Sequence, residues 1–422
     1  MSSLKDHFGN EIDESVGYAR GKILAGPKDE SRRYANGLRL IRERAVACGT
    51  QSIAVFTGNL RSFPIQAEDI EMAEEWTGPP QFHADLTACA QQHLSAPPED
   101  GVAVFNRTSA GIIAAVLALS SPGKTVISVV PGGSSHASIR RGVALAKCFL
   151  LELKSQQALE VALRQHTDSP VLITGVTSEL DVMSEDVFIG CIRLAQEHNR
   201  LVFVDDAYGA RVRTILFGQL PARQLGADLV ITNNDKAGLN GPRAGILVGK
   251  MDLVRSVQAK AMELGMEARA PIALGVMRSL QRFSPEDLVQ EVRLGQELYR
   301  ELADRIGPEY VAQATIGPII REDDVLALTL KRAGCTSHPR IVPSEASSAL
   351  GALLLKNYGI LTVNVSGMPG ARVSLRLKPT SEQIAKVGGV AGVVNAVEAT
   401  FDELAELVDK PGMICELILG QE

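Results

Sequence analysis

Between about residue 100 and residue 250 the chain alternates short runs of β-branched and aliphatic residues with longer stretches of helical apolar period. The short runs are VAVFN (102–106), KTVISVV (124–130), FLLEL (149–153), VLITGV (171–176), LVFVDD (201–206), DLVITN (228–233) and AGILVGK (244–250). Between them lie GIIAAVLALS (111–120), QQALEVALRQ (156–165) and EDVFIGCIRLAQEHN (185–199). Alternation of strand and helix patterns predicts βαβ units, so the expected fold class is α/β, three-layer α/β/α around a mostly parallel seven-stranded sheet.

Beyond residue 250 the pattern changes to long helical stretches, including SPEDLVQEVRLGQELYRELADRIG (284–307). A strand is expected at RVSLRL (372–377) and an amphipathic helix over GVVNAVEATFDELAELV (392–408). These predict a smaller C-terminal α+β domain over 290–422. The large domain is expected over 76–289, and residues 1–75 read as an N-terminal helical arm. A chain of 422 residues exceeds what one hydrophobic core usually organises, which agrees with more than one domain.

Charge narrows the class. Lys plus Arg number 43 against 49 for Asp plus Glu, a net charge of -6 that gives no general support for nucleic-acid binding. The segment RRYANGLRLIRER (32–44) holds five arginines, but Leu38 and Ile41 suit an ordinary amphipathic helix, so tRNA is not the leading partner. Six cysteines stand far apart without a C-x-x-C pair, which predicts buried thiols in a reducing cytoplasm and no metal site. The polar amino terminus lacks the apolar core of a signal peptide, and no apolar window is long enough to predict a membrane span.

In parallel sheets ligands bind at the carboxyl ends of strands, so the polar residues that follow each strand are the place to seek chemistry. After VAVF comes NRTSAG, where Arg107, Thr108, Ser109 and the backbone near Gly111 open a helix suited to a phosphate. After KTVISVV comes PGGSSHAS, with His136 at the mouth of the sheet. After LVFV come Asp205, Asp206, Ala207 and Tyr208; two adjacent carboxylates ending a buried strand are costly unless one meets a cation. After DLVITN come Asp235 and Lys236, an amine whose burial suits it to act as nucleophile or base.

Taken together, a phosphate cradle, an imidazole, Asp205 and a lysine 31 positions later resemble the fold-type-I enzymes dependent on pyridoxal 5'-phosphate, the aspartate-aminotransferase superfamily. The stretch NDKAGLNGPRAGILVGK (234–250) looks most like the branch of bacterial selenocysteine synthase and D-glucosaminate-6-phosphate ammonia-lyase, and FNRTSAG and SSHAS look like archaeal relatives of it. The resemblance implies that Lys236 forms a Schiff base with the cofactor and shuttles the Cα proton. It also implies that Asp205 pairs with the pyridine nitrogen, that Tyr208 donates to the ring oxygen and that His136 stacks on the ring. Arg107, Thr108, Ser109 and Gly111 would hold the phosphate. Asn233 stands three residues before the lysine, where many members have Ser or Thr for that purpose.

By the same resemblance Arg372 or Arg376 would bind a substrate carboxylate. Ser178 and Glu179 would lie near the ring oxygen or the substrate, and Asn59 or Arg61 would reach the chain's own site or a neighbour's. The implied reaction is a lyase acting by β-elimination on a small amino-acid or amino-sugar substrate. The alternatives are an aminotransferase, an aldolase, an oxoamine synthase or an L-seryl-tRNA selenium transferase-like enzyme. A homodimer or higher homo-oligomer is implied as well.

Overall fold

The computed structural model describes residues 4–13, 16–178, 180–335, 339–366 and 373–421. The chain divides into two compact units, one comprising 60–289 and the other 1–59 with 290–422.

The first unit carries the sheet: β1 (Gly101–Phe105), β2 (Thr125–Val129), β3 (Phe149–Leu153), β4 (Val171–Thr174), β5 (Val202–Asp205), β6 (Leu229–Asn233) and β7 (Gly245–Gly249). Their spatial order is β1-β7-β6-β5-β4-β2-β3. From β6 through β3 every pairing is parallel, whereas β7 runs antiparallel to both β6 and β1. The central strands bury every residue, which is why they read as continuous apolar runs.

Successive side chains feed opposite faces. Val202, Val204 and Val230 enter one core with helices α1 (Pro79–His93), α4 (Gln156–Gln165), α5 (Glu185–Glu197) and α7 (Ala270–Gln281). Phe203, Leu229 and Ile231 enter the other with α2 (Thr108–Leu119), α3 (Ala137–Leu145) and α6 (Met251–Glu263). Period-two alternation places Asp205 on the face of Phe203, the side on which α2 and α3 begin.

The second unit is α+β. Its core joins Ile23, Leu24, Ala54 and Phe56 with Leu298, Leu350, Val397 and Phe401. Residues 1–59 are therefore no separate arm: too few apolar residues lie there for a core, and Ala54–Val55 pairs in parallel with Ile360–Leu361. Ile65, Met72 and Ala73 instead pack within the sheet-bearing unit. The arginine-rich stretch lies in one helix, Pro27–Cys48. Arg33 in it is buried and donates to Ser348 Oγ, while Arg44 donates to the carbonyls of Lys356 and Asn357. Of the strand expected at 372–377, Leu375–Arg376 pairs with Pro318–Ile320, and residue 372 lies outside the described residues.

Candidate active site

Asp205 ends β5. Its carboxylate is buried and, among the described residues, accepts one hydrogen bond, from Ala207 N–H to Oδ1 at 3.3 Å. Burial pushes its pKa up to about 6; the Ala207 bond and Lys236 counteract this, and Asp206 adds to it. Such a carboxylate fits a cation delivered by a ligand. The partner that Asp206 needs is Arg213, whose Nη2 lies 2.6 Å from Asp206 Oδ2 with both side chains fully buried. One carboxylate of the pair is thus held in a structural ion pair.

Lys236 stands on the turn after β6. Its carbonyl accepts from Leu239 N–H, and Asn234 O accepts from Gly241 N–H, so the loop is closed on itself. Ala237 and Gly238 adopt φ of +50° and +82°. At 238 a side chain would be strained and would also press on Leu288 and Phe283, which explains the glycine. The half-buried amine lies over the ring of buried Tyr208, 4.8 Å from its centroid. Tyr208 opens the short helical turn after β5, so the strand that holds Asp205 also sets the ring beside the amine.

The start of α2 adds further donors. Arg107 occupies the N-cap position of α2 without a side-chain capping bond, and the N–H groups of Thr108 and Ser109 have no helical acceptor. Gly245 of β7 packs against this end: a Cβ there would come within 2.7 Å of Thr108 Cα. Thr108 Oγ1 donates to Ala244 O at 3.4 Å, fixing the helix end to the residue that precedes β7. Burial, ahead of the nearby charges of Arg61 and Arg141, lowers the Arg107 pKa; Asp235 opposes this. Asp235 itself pairs with Arg61, Nε to Oδ2 at 2.9 Å.

His136 caps α3, its Nδ1 accepting from Ser138 N–H at 3.2 Å, which leaves the proton of the neutral ring on Nε2. The residue is exposed to solvent at the start of α3. Desolvation there, followed by repulsion from Lys236, Arg141, Arg140 and Arg107, pushes its pKa down to about 4. The imidazole is therefore neutral at physiological pH, and the surrounding field favours an anion.

The remaining expected residues separate. Gly111 gives close packing room, since a Cβ would meet Ile231 Cδ1 at 2.5 Å and Phe105 Cδ2 at 2.7 Å, and its N–H donates to Arg107 O. Asn233 is buried with both ends of its amide used: Oδ1 accepts from Arg211 Nη2 at 2.7 Å and Nδ2 donates to Ala207 O at 2.6 Å. Ser178 lies in the turn spanned by the Thr177–Asp181 hydrogen bonds. Asn59 belongs to the other unit, where Nδ2 donates to Thr57 O, as does Arg376, whose Nε donates to Ser374 Oγ. Glu179 and Arg372 lie outside the described residues. Arg140, Arg141 and Arg211 escaped the sequence reading, although the first two directly follow His136-Ala-Ser-Ile and the third follows Asp-Asp-Ala-Tyr.

These residues fit pyridoxal phosphate: a desolvated carboxylate for the pyridine nitrogen, an amine beside an aromatic face, and a capped helix end amid arginines for the phosphate. No metal-binding group of His, Cys, Asp or Glu occurs among the described residues. No helix among them is long and apolar enough to cross a membrane.

The chain matches no protein-family model. Among solved structures it is similar to serine palmitoyltransferase of Sphingomonas wittichii, with a TM-score of 0.57 and 14% identity over 84% of this chain and 88% of that one. It is also similar to the alanine–glyoxylate aminotransferase of Nostoc sp., with a TM-score of 0.56 and 13% identity over 82% and 95%. A SepCysS–SepCysE N-terminal domain complex gives 0.55 and 13% over 84% and 96%. These likenesses concern the fold. In sequence, the UPF0425 pyridoxal phosphate-dependent protein of Methanosphaera stadtmanae is 30% identical over 380 residues, 90% of this chain and 96% of the relative. The protein of the same description from Methanothermobacter thermautotrophicus is 33% identical over 398 residues, 94% of this chain and 100% of the relative. At that identity over almost its whole length, the chain belongs to the UPF0425 pyridoxal phosphate-dependent proteins.

Proposed function

We propose that this enzyme is a lyase that eliminates a group from Cβ of a small amino-acid or amino-sugar substrate, with Lys236 as the residue that takes the Cα proton. The observation that carries this reading is the meeting of Lys236, Tyr208 and desolvated Asp205 at the ends of two adjacent strands. When bound, pyridoxal phosphate supplies an electron sink that acidifies the Cα–H bond. Asp205 would hold the pyridine nitrogen, and Arg107 with the Thr108 and Ser109 amides would hold the phosphate. Lys236 Nζ would accept the proton from Cα, and the Cβ bond would break with its electron pair leaving on the departing group. Neutral His136, with its proton on Nε2, would stack on the cofactor ring.

The substrate in this reading carries a second anionic group. Supporting it are Arg140 and Arg141, which stand near His136 in addition to Arg107 and Lys236, more positive charge than one phosphate requires. As for the branch, NDKAGLNGPRAGILVGK resembles selenocysteine synthase and the ammonia-lyase alike and does not separate them. The selenium-transferase alternative gains little from the arginine-rich helix, since Arg33 and Arg44 are engaged within the protein. The assembly in this reading is at least a homodimer.

The test is a screen of amino acids and phosphorylated amino sugars that follows ammonia and 2-oxo acid release without any amino acceptor. Release from a phosphorylated substrate is expected. Turnover only when a 2-oxo acid acceptor is added would make the enzyme a transferase and overturn the lyase reading.

A further inference from the structure

We propose that Arg211 is a positioning residue for Lys236, fastening the turn that carries the lysine to the turn that carries Asp205; this rests on the Lys236 reading above. Arg211 is fully buried in the helical turn after Tyr208. Its Nε donates to Ala237 O at 3.1 Å, and its Nη2 donates to Ala207 O at 3.2 Å and Asn233 Oδ1 at 2.7 Å. Nη1 donates to Thr232 Oγ1 at 3.1 Å and meets His93 Nε2 at 3.1 Å. Ala237 is the residue after Lys236, and Ala207 lies two residues after Asp205, so one guanidinium bridges the two turns.

A second strap runs alongside. Asn233, the last residue of β6, donates from Nδ2 to Ala207 O at 2.6 Å while accepting from Arg211. Ala237 holds a left-handed φ of +50°, which residues other than glycine seldom adopt, and its carbonyl is the acceptor of Arg211 Nε. His93 is kept neutral, since burial and then the charge of Arg211 push its pKa down to about 3, so its Nε2 is free to accept. A guanidinium presents donors in a rigid planar fork, which sets the spacing of the carbonyls it joins. A lysine at 211 would keep the charge and lose that span.

The experiment uses the full chain carrying Arg211→Lys, loaded with pyridoxal 5'-phosphate and read without turnover. It follows the pH midpoint of the visible absorbance and the rate of cofactor capture that borohydride makes permanent, with Tm on the same samples. In a folded variant, capture slowed by about tenfold or more and a shifted midpoint are expected, because small misplacements of a reacting group are costly. An unchanged rate and midpoint overturn the proposal. If Arg211→Lys does not fold, Thr232→Val keeps the arginine and removes one acceptor; a smaller change in the same direction is expected, and none at unaltered Tm overturns it. Peptide mapping of the wild type separates the two readings. An adduct on Lys236 is expected, an adduct on another lysine overturns both, and an adduct on Lys236 with unaffected variants overturns the positioning role alone.

Discussion

Lys236 Nζ lies over the face of the Tyr208 ring, 4.8 Å from its centroid, on the strand end next to that of Asp205. The ring attracts the ammonium and narrows its range of positions, an effect of about 0.5–1 kcal/mol at a partly exposed site. Tyr208→Phe keeps the face and is expected to capture cofactor nearly as fast as wild type. Tyr208→Ala is expected to slow capture several-fold, and Lys236→Ala to abolish it with Tm nearly unaltered. Borohydride reduction followed by intact-mass measurement reads all three. Equal capture by Tyr208→Ala and wild type would show that the ring does not place the amine.

Asp205 links the site to pH. Its folded pKa of about 6 exceeds the ordinary value of about 3.9 in an unfolded chain, so the cofactor-free native state holds this proton more tightly. Stability from this group is therefore lost as pH rises from about 4 to about 6 and stays lost above that window. Cofactor-free Asp205→Asn escapes the penalty, and at pH 7.5 it is expected to be more stable than wild type by up to about 3 kcal/mol. The difference should vanish near pH 4. Loading with cofactor should raise the Tm of wild type more than that of the variant, because only the carboxylate answers the pyridine nitrogen with a charge. Denaturant titrations at several pH values check this; parallel profiles for the two proteins would refute it.

The sheet was legible because strands buried on both faces leave continuous apolar runs, and all seven runs became strands. Asp205, Lys236, His136 and Arg107 were singled out because parallel strands present ligand contacts at their carboxyl ends, and the structure sets each of them at or beyond the end of a strand. The contacts that set their geometry were not. Arg61 meets Asp235 across 174 positions, a separation that no periodicity marks. Asn233 occupies a position that suggested phosphate, yet its amide is used between Arg211 and Ala207. The amino-terminal segment read as an arm because its few apolar residues form no core until they meet those beyond 290. The strand expected at 372–377 is limited by its partner, three residues long and beginning with Pro318, which has no N–H to donate.

Asp206 and Arg213 allow a stability test independent of the cofactor. The pair is fully buried, with the guanidinium 3.8 Å from the centroid of Phe188, and Gly175 and Gly209 leave it room. Arg213→Met would strand a buried carboxylate and is expected to cost about 3–5 kcal/mol. The double variant Asp206→Leu/Arg213→Met removes both charges and is expected to recover most of that loss. Urea titration of the three proteins decides; a double variant no better than the single one would mean that packing of the arginine, and not its charge, stabilises this corner.

Gly245 tests whether the start of α2 is the phosphate site. A Cβ at 245 would lie 2.7 Å from Thr108 Cα and 2.8 Å from Thr108 N, both backbone atoms that a side-chain rotation cannot move away. Gly245→Ala must therefore displace the helix end whose first N–H groups have no helical acceptor. Overpacking of this kind costs about 1–3 kcal/mol, and misaligned amides lose their grip on an anion. Affinity for pyridoxal 5'-phosphate is expected to fall at least about tenfold, by the 1.4 kcal/mol that a tenfold change represents. Affinity for pyridoxal, which lacks the phosphate, should fall much less. Gly412→Ala, where a Cβ meets nothing within 4 Å, serves as the control and should leave both affinities unchanged. Equal losses for the two ligands would mean that the displaced helix end disturbs the ring site and that the phosphate is held elsewhere.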